Sequence, residues 1–312
     1  MHSVGRARLE LREEPGATHS SEFRIGGVSV RVAGQSHDDV TLVPSLQPFR
    51  AESPASDITI QVEWTETLGP AVGQELFDSG SLWRLYEDGT EFRFDFSAVI
   101  LGTQPYKRLL VDSQFRRARL QMSTECFAGK GYAVAPLEYP LDELLIMHRL
   151  TQEKAIELHS CGIVRPDGTG NLFVGHSGAG KSTTTRLWTA LEGVEVLSDD
   201  RIIVRRETPE STGRMRMYGT PWHGEAAYAS PGSALLARIF ILEHGHGNVL
   251  TRLSPSQAVA ELFARSFVPF HRHEYVDSAL EFLQEVVDTV PCYRYSFEPD
   301  ERAVERIIQF RD

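Results

Sequence analysis

The 312-residue chain predicts an α/β core behind a β-rich N-terminal region, and three observations carry that prediction. Residues 23 to about 123 alternate apolar and polar side chains with a period of two. From Ile156 onward, short apolar runs alternate with stretches of helical period. Between two of those stretches lies a glycine-rich loop, residues 175–182, with an apolar run before it and a helical pattern after it.

The elements follow in order. Residues 1–20 are polar and are expected to fray. The region 21–139 reads as an antiparallel β-rich unit. Its runs FRIGGVSVRV, DITIQVEW, SLWRLYEDGTEFRFDF and KRLLVDSQFRRARLQM favour β-branched and aromatic residues. Asp88 and Gly89 tolerate positive φ and signal a hairpin between two such runs. No chemical constellation appears in this region. The period changes at YPLDELLIMHRLTQEKAIEL, where Leu141, Leu144, Leu145 and His148 share one helical face. That helix leads into a second region, 140–312. There LHSCGIV and NLFVG are short strands separated by the turn RPDGTG. A helix over residues 181 to about 191 follows the loop, then a strand in VEVLSDDRIIVRR, and further strands in GRMRMYG and ARIFILEHG. SPSQAVAELFARSF opens with a capping box, Ser254 with Gln257, and carries Pro255 at the first helical position. YVDSALEFLQEVVDTV is a second amphipathic helix, PCYRYSF a strand, and DERAVERIIQF a closing helix capped by Asp300.

Composition narrows the function. The formal charge is −11 with no long Lys/Arg run, which argues against nucleic-acid binding because phosphate contacts need clustered cations. Arg116, Arg117 and Arg119 read as a solvated strand face. Cys126, Cys161 and Cys292 are odd in number and far apart, so they predict neither a disulfide framework nor a metal spacing. Reduced, buried thiols in a cytoplasmic protein are the expectation. The first residues lack the apolar segment of a signal peptide, and no run of about 18 apolar residues predicts a membrane span. Homo-oligomerisation stays open.

Residues 175–182, GHSGAGKS, fit the pattern G-x-x-x-x-G-K-[ST]. Gly175, Gly178 and Gly180 permit a backbone path that turns successive N–H groups, with those of Ser177 and Ala179, toward one point. Those donors and the following helix N-terminus suit a β-phosphate. Lys181 adds charge at the β- and γ-phosphates, the Ser182 hydroxyl is a Mg²⁺ ligand, and Thr183 completes the nucleotide-binding stretch. His176 is a spacer. Asp199 and Asp200 end the apolar run VEVL, where an acidic residue can hold Mg²⁺. Two adjacent carboxylates leave one to accept a proton from an acceptor hydroxyl, or leave one merely solvated. His159, sixteen positions before the loop, is a core histidine or a group that orients the γ-phosphate. In GTPWHGE, Gly219 and Pro221 make a turn and Trp222 is an apolar anchor. His223 and Glu225 are candidates for acceptor binding; the alternative is a structural turn. A zinc-deaminase reading of His-x-Glu fails, because PCYRY supplies only one cysteine. HRHE at 271–274 and EHGHG at 243–247 lack His-Glu-x-x-His and read as solvated.

His159, the loop and the Asp199-Asp200 pair together resemble the HPr kinase/phosphorylase family in type and spacing, over roughly residues 157–206. The resemblance implies a P-loop kinase core of the HPr kinase/phosphoenolpyruvate carboxykinase type. It implies His159 near the γ-phosphate, Asp199 and Asp200 as base and metal contact, a need for ATP and Mg²⁺, and transfer to a serine hydroxyl. Three departures stand beside it. Thr183 occupies the place of the family's Glu, YGTPWHGE at 218–225 replaces a glycine-rich segment, and the N-terminal region is unlike the family's. Region 140–312 looks more like kinase-like relatives associated with peptide modification, which implies a protein or peptide acceptor carrying a serine. The alternatives are an ATP-binding switch or scaffold with slow or no transfer, and a kinase for a small molecule such as free serine. A carboxykinase would need carboxylate-binding arginines and a second metal site that the sequence does not display. An exposed strand edge in the N-terminal region could dock an extended peptide.

Overall fold

The structure is a computed structural model that describes residues 18–102, 104–129, 135–208 and 213–311. The expected fraying of residues 1–20 falls almost wholly outside them. The chain divides into two compact units. One takes in Val30–Leu42 and Ser53–Pro136 with the chain up to Glu22; the other takes in Phe23–Ser29, Val43–Glu52 and Leu137–Asp312.

The N-terminal strands are β1 (His19–Ile25), β2 (Val28–Gly34), β3 (Ile58–Thr65), β4 (Gln74–Asp78), β5 (Trp83–Asp88), β6 (Glu91–Phe96), β7 (Lys107–Asp112) and β8 (Arg117–Ser123), followed by the single turn α1 (Thr124–Phe127). They form one sheet in the order β1-β2-β3-β8-β7-β6-β5-β4. The meander from β4 to β8 is antiparallel, whereas β3 lies parallel to both β2 and β8. The β5–β6 hairpin turns at Gly89, φ 68°, where a left-handed backbone favours glycine. Alternation on β6 puts Phe92, Phe94 and Phe96 in the core and sends Arg93 and Asp95 to the other face. That face is buried too. Asp95 Oδ1 accepts from Arg93 Nε at 3.0 Å and Arg108 Nε at 2.6 Å, so the buried carboxylate is paired. Arg116 and Arg117 are exposed, and all three cysteines are buried and free.

The second unit carries α2 (Leu141–Leu150), β9 (Ala155–Val164), β10 (Thr169–Val174), α3 (Lys181–Thr189), β11 (Glu195–Ser198), β12 (Arg201–Arg206), β13 (Met215–Tyr218), β14 (Ser233–His244), β15 (Val249–Arg252), α4 (Pro255–Phe263), β16 (Ser266–Phe267), α5 (His273–Thr289), β17 (Cys292–Phe297) and α6 (Glu301–Gln309). Here the expected α/β fold, a P-loop core of the HPr kinase/phosphoenolpyruvate carboxykinase type ringed by helices, is overturned. Strand exceeds helix, 38% against 24%, and the two sheets include a small five-stranded barrel. Strands β10, β9, β12, β13 and β14 are hydrogen-bonded in that order, and β14 closes back onto β10. The physical reason lies in the connections. Parallel neighbours need a long crossover, usually a helix, while antiparallel neighbours need only a turn. The chain after Ile156 reads as strands alternating with helices, yet β9–β10, β9–β12, β12–β13 and β13–β14 are all antiparallel. Among the described residues, only β10–β14 and β14–β17 run parallel in this sheet. The run VEVLSDDRIIVRR also splits, into β11 and β12, at Asp199 and Asp200.

Two apolar clusters hold the unit. Leu172 and Val174 of β10 join Leu262 of α4 and Phe282 and Leu283 of α5. Phe173, on the opposite face of β10, joins Trp188 of α3 and Ile307 of α6. These clusters clamp β10 from both sides and so fix the loop that leaves its end.

Candidate functional site

The loop begins where β10 ends. Gly175 N donates to the His159 carbonyl at 3.2 Å, which ties the loop's first residue to the middle of β9. A side chain at Gly175 would meet Ala179 Cβ at 2.7 Å. His176, Ser177 and Gly178 are exposed, and Ala179 N donates to His176 O at 3.1 Å. Gly178 and Gly180 have φ of 80° and 101°, and a Cβ at Gly180 would lie 2.5 Å from the Phe297 ring. α3 starts at Lys181, so its first N–H groups point into the loop. Ser182 and Thr183 are half-buried at that end.

Lys181 is buried, and its ammonium folds back over the loop. Nζ donates to Gly175 O at 3.0 Å and to His176 O at 3.2 Å, and lies 2.7 Å from His159 Nε2. Burial pulls its pKa below the usual lysine value, against the attraction of Asp200. Asp200 Oδ1 sits 2.9 Å from His159 Nε2 and 3.7 Å from Lys181 Nζ. His159 Nε2 thus faces both groups. Protonated, it donates to Asp200; unprotonated, it accepts from Lys181. Burial pushes the Asp200 carboxyl upward. The His159 hydrogen bond and the charges of Arg201, His159 and Lys181 outweigh that, so it stays below the ordinary aspartate value.

The two aspartates diverge. Asp199 is buried and turns away from His159: Oδ1 accepts from Gly224 N at 3.0 Å and Tyr228 N at 3.2 Å, and Oδ2 from Ala226 N at 2.9 Å. It latches a loop in which Ala227 adopts a φ of 58°. Gly224 packs so close that a Cβ would lie 3.0 Å from Asp199 Oδ2 and 3.2 Å from Asp200 Cβ. Trp222 anchors the loop, with Nε1 donating to buried Asp142 at 3.1 Å and its carbonyl accepting from Ser198 Oγ at 3.3 Å. His223 and Glu225 are exposed; His223 Nδ1 meets Gly224 O at 3.0 Å.

The structure thus brings His159, Lys181 and Asp200 to one point beside the loop. It places the loop of His223 and Glu225 next to them without joining those two side chains to the trio. Sequence reasoning missed three members. Arg201 binds Asp200 Oδ2 through Nη1, and Glu143 of α2 holds Arg201 Nε at 3.0 Å. Arg265 offers its carbonyl to His159 N at 2.8 Å, and its charge is the main cause that lowers the His176 pKa. Arg201 was in view as the residue after the aspartate pair. Glu143 and Arg265 carry no motif. No protein-family model matches this chain, and comparison with curated proteins gives no match.

Proposed function

We propose that this protein transfers the γ-phosphoryl group of ATP to a serine or similar hydroxyl of a protein or peptide, in the manner of HPr-kinase-like enzymes. The supporting observation is the meeting of Lys181 Nζ, His159 Nε2 and Asp200 Oδ1 within 2.7, 2.9 and 3.7 Å of one another at the loop. A protein that only binds nucleotide needs the loop and the lysine. A carboxylate there can serve Mg²⁺ in either case, but the histidine that holds it goes beyond what nucleotide binding needs.

In this reading the loop amides and the end of α3 cradle phosphate, and Lys181 neutralises charge on it. The acceptor oxygen bonds to the γ-phosphorus, the bond to the bridging oxygen of ADP breaks, and the hydroxyl proton passes to Asp200. His159 Nε2 carries at most one hydrogen and directs it to Asp200, so its task is to orient that carboxylate. Asp199 holds the 223–228 loop, against which the acceptor lies, with His223 and Glu225 at its surface.

Among the described residues, no group of three or more His, Cys, Asp or Glu side chains is placed to hold a metal ion. The donors that suit Mg²⁺ are Ser182 and Asp200, an all-oxygen pair. That fits an ion which takes few protein ligands and fills its shell with phosphate oxygens and water. Both aspartates already have each oxygen hydrogen-bonded; Asp199 fits less well because it is buried, whereas Asp200 is half-buried. Bound there, Mg²⁺ would supply charge neutralisation at the phosphates.

The test is transfer from γ-labelled ATP with Mg²⁺, offering HPr, free serine and serine-containing peptides, with Lys181→Ala as the blank. Label on a serine that is absent from the blank is the expected result. Label released only as inorganic phosphate would replace this reading with that of an ATP-binding switch.

A further inference from the structure

We infer that Arg201 is a positioning residue for the reaction, locking Asp200 against His159 while Glu143 locks Arg201; this rests on the proposed transfer. Register carries the first part. Arg201 of β12 pairs directly with His159 of β9, so the two side chains are cross-strand neighbours. Asp200, one residue earlier, is gripped between them: Oδ1 by His159 at 2.9 Å and Oδ2 by Arg201 Nη1. With one oxygen fixed on each side, the carboxylate cannot rotate about its own bond.

The guanidinium is itself immobilised from three directions. Its Nε donates to Glu143 Oε1 at 3.0 Å. Its Cζ lies 4.1 Å from the centroid of the Phe267 ring, a cation–π arrangement. Glu157, two residues before His159 and hence on the same face of β9, has Oε1 3.5 Å from Arg201 Nε. Phe267 pairs with Glu157 in the β16–β9 register, which completes that face.

Glu157 is fully buried beside Glu143, and burial, then that neighbour, push its pKa well up. The guanidinium makes its side-chain hydrogen bonds to Glu143 and Asp200 rather than to Glu157. The planar fork presents its donors in a fixed geometry that meets both carboxylates, whereas a lysine offers a point charge on a flexible stem.

The experiment compares Arg201→Lys, Arg201→Met and Glu143→Gln in the full chain. Three readouts are taken: affinity for a non-hydrolysable ATP analogue, kcat for transfer, and the ¹⁵N signal of the His159 ring without nucleotide. Arg201→Met and Glu143→Gln are expected to keep analogue affinity within about twofold, lower kcat by tenfold or more, and shift the His159 signal. Arg201→Lys recovers part of kcat. If Arg201→Met fails to fold, Glu143→Gln decides alone, since it frees the guanidinium without removing it. An unmoved His159 signal in a folded Arg201→Met or Glu143→Gln protein overturns the inference. That readout needs no turnover. A wild type that transfers nothing, with the His159 signal shifting as expected, would sink the proposed reaction and leave the grip of Arg201 on Asp200 standing.

Discussion

At the scale of single residues, the adjacent aspartates separate two jobs. Asp199 accepts three backbone N–H groups from the 223–228 loop, and Asp200 faces His159 and Lys181. Asp199→Asn should therefore cost stability, about 1–3 kcal/mol for a buried acceptor partly lost, and should raise hydrogen exchange at Gly224, Ala226 and Tyr228. Asp200→Asn should abolish transfer without raising exchange at those three amides. Urea denaturation with exchange mass spectrometry would check both; similar behaviour of the two variants would refute the division. Gly180 gives a second residue-level prediction. Its φ of 101° and the Phe297 ring 2.5 Å from a would-be Cβ make Gly180→Ala strained twice over. A loss of about 1–3 kcal/mol is expected, with at least tenfold weaker analogue binding, readable by thermal melts with and without the analogue. The glycine pattern was legible along the chain. The partner that makes Gly180 irreplaceable, Phe297, lies far away in sequence.

Among the elements, the helices were the most legible. The capping box at Ser254 and Gln257 forms as expected, and Asp300 caps α6 through Arg302 N at 3.0 Å. Both signals are local, so a short window holds all the physics they need. α2 shows what a window omits. Its apolar face was expected to be Leu141, Leu144, Leu145 and His148, but Asp142, Glu143 and Arg149 are buried too. His148 makes α2 sensitive to acid. Its ring sits 5.2 Å from that of His271, and burial holds their pKa values down, to about 3 and about 4. An unfolded histidine titrates near 6.5, so as pH falls the unfolded chain takes up the proton first. The stability due to His148 is complete above that pH and is lost as pH drops toward 3. Between pH 7.5 and 5.5 the loss is about 1.4 kcal/mol for this one group. His148→Leu should remove that increment, measured as the difference in urea unfolding free energy between the two pH values. An unchanged difference would show that His148 is not the source.

For the whole molecule, the division into units does not follow the chain. Phe23–Ser29 and Val43–Glu52 belong with Leu137–Asp312. Arg205 Nη1 donates to Gly26 O at 2.8 Å, and Ile203 packs so close to Gly26 that a Cβ there would meet Cδ1 at 2.6 Å. Phe23, Ile25, Leu46 and Phe49 are buried. A fragment of residues 137–312 would expose the surfaces these segments cover. It should melt at least 10 °C below the full chain, or without a cooperative transition, since a few kcal/mol moves a domain of this size by about that much. Cooperative melting at the temperature of the full chain would show that the two early segments are dispensable. The boundary near residue 140 came from a change of period, and period carries no information about which distant surface a hairpin covers.

Along the chain itself, the glycine loop, the helix behind it, the histidine before it and the acidic pair after it were all readable. Each depends on residue type at short spacing, which steric and electrostatic rules tie to one local geometry. Tertiary structure alone decided the rest. Strand pairing closed the expected alternation of strands and helices into a barrel, because a short apolar run is equally able to pair either way. The bend between β11 and β12 sent Asp199 and Asp200 in different directions. The cross-strand register set Arg201 opposite His159, and no spacing rule connects residues whose neighbourhood is created by the sheet.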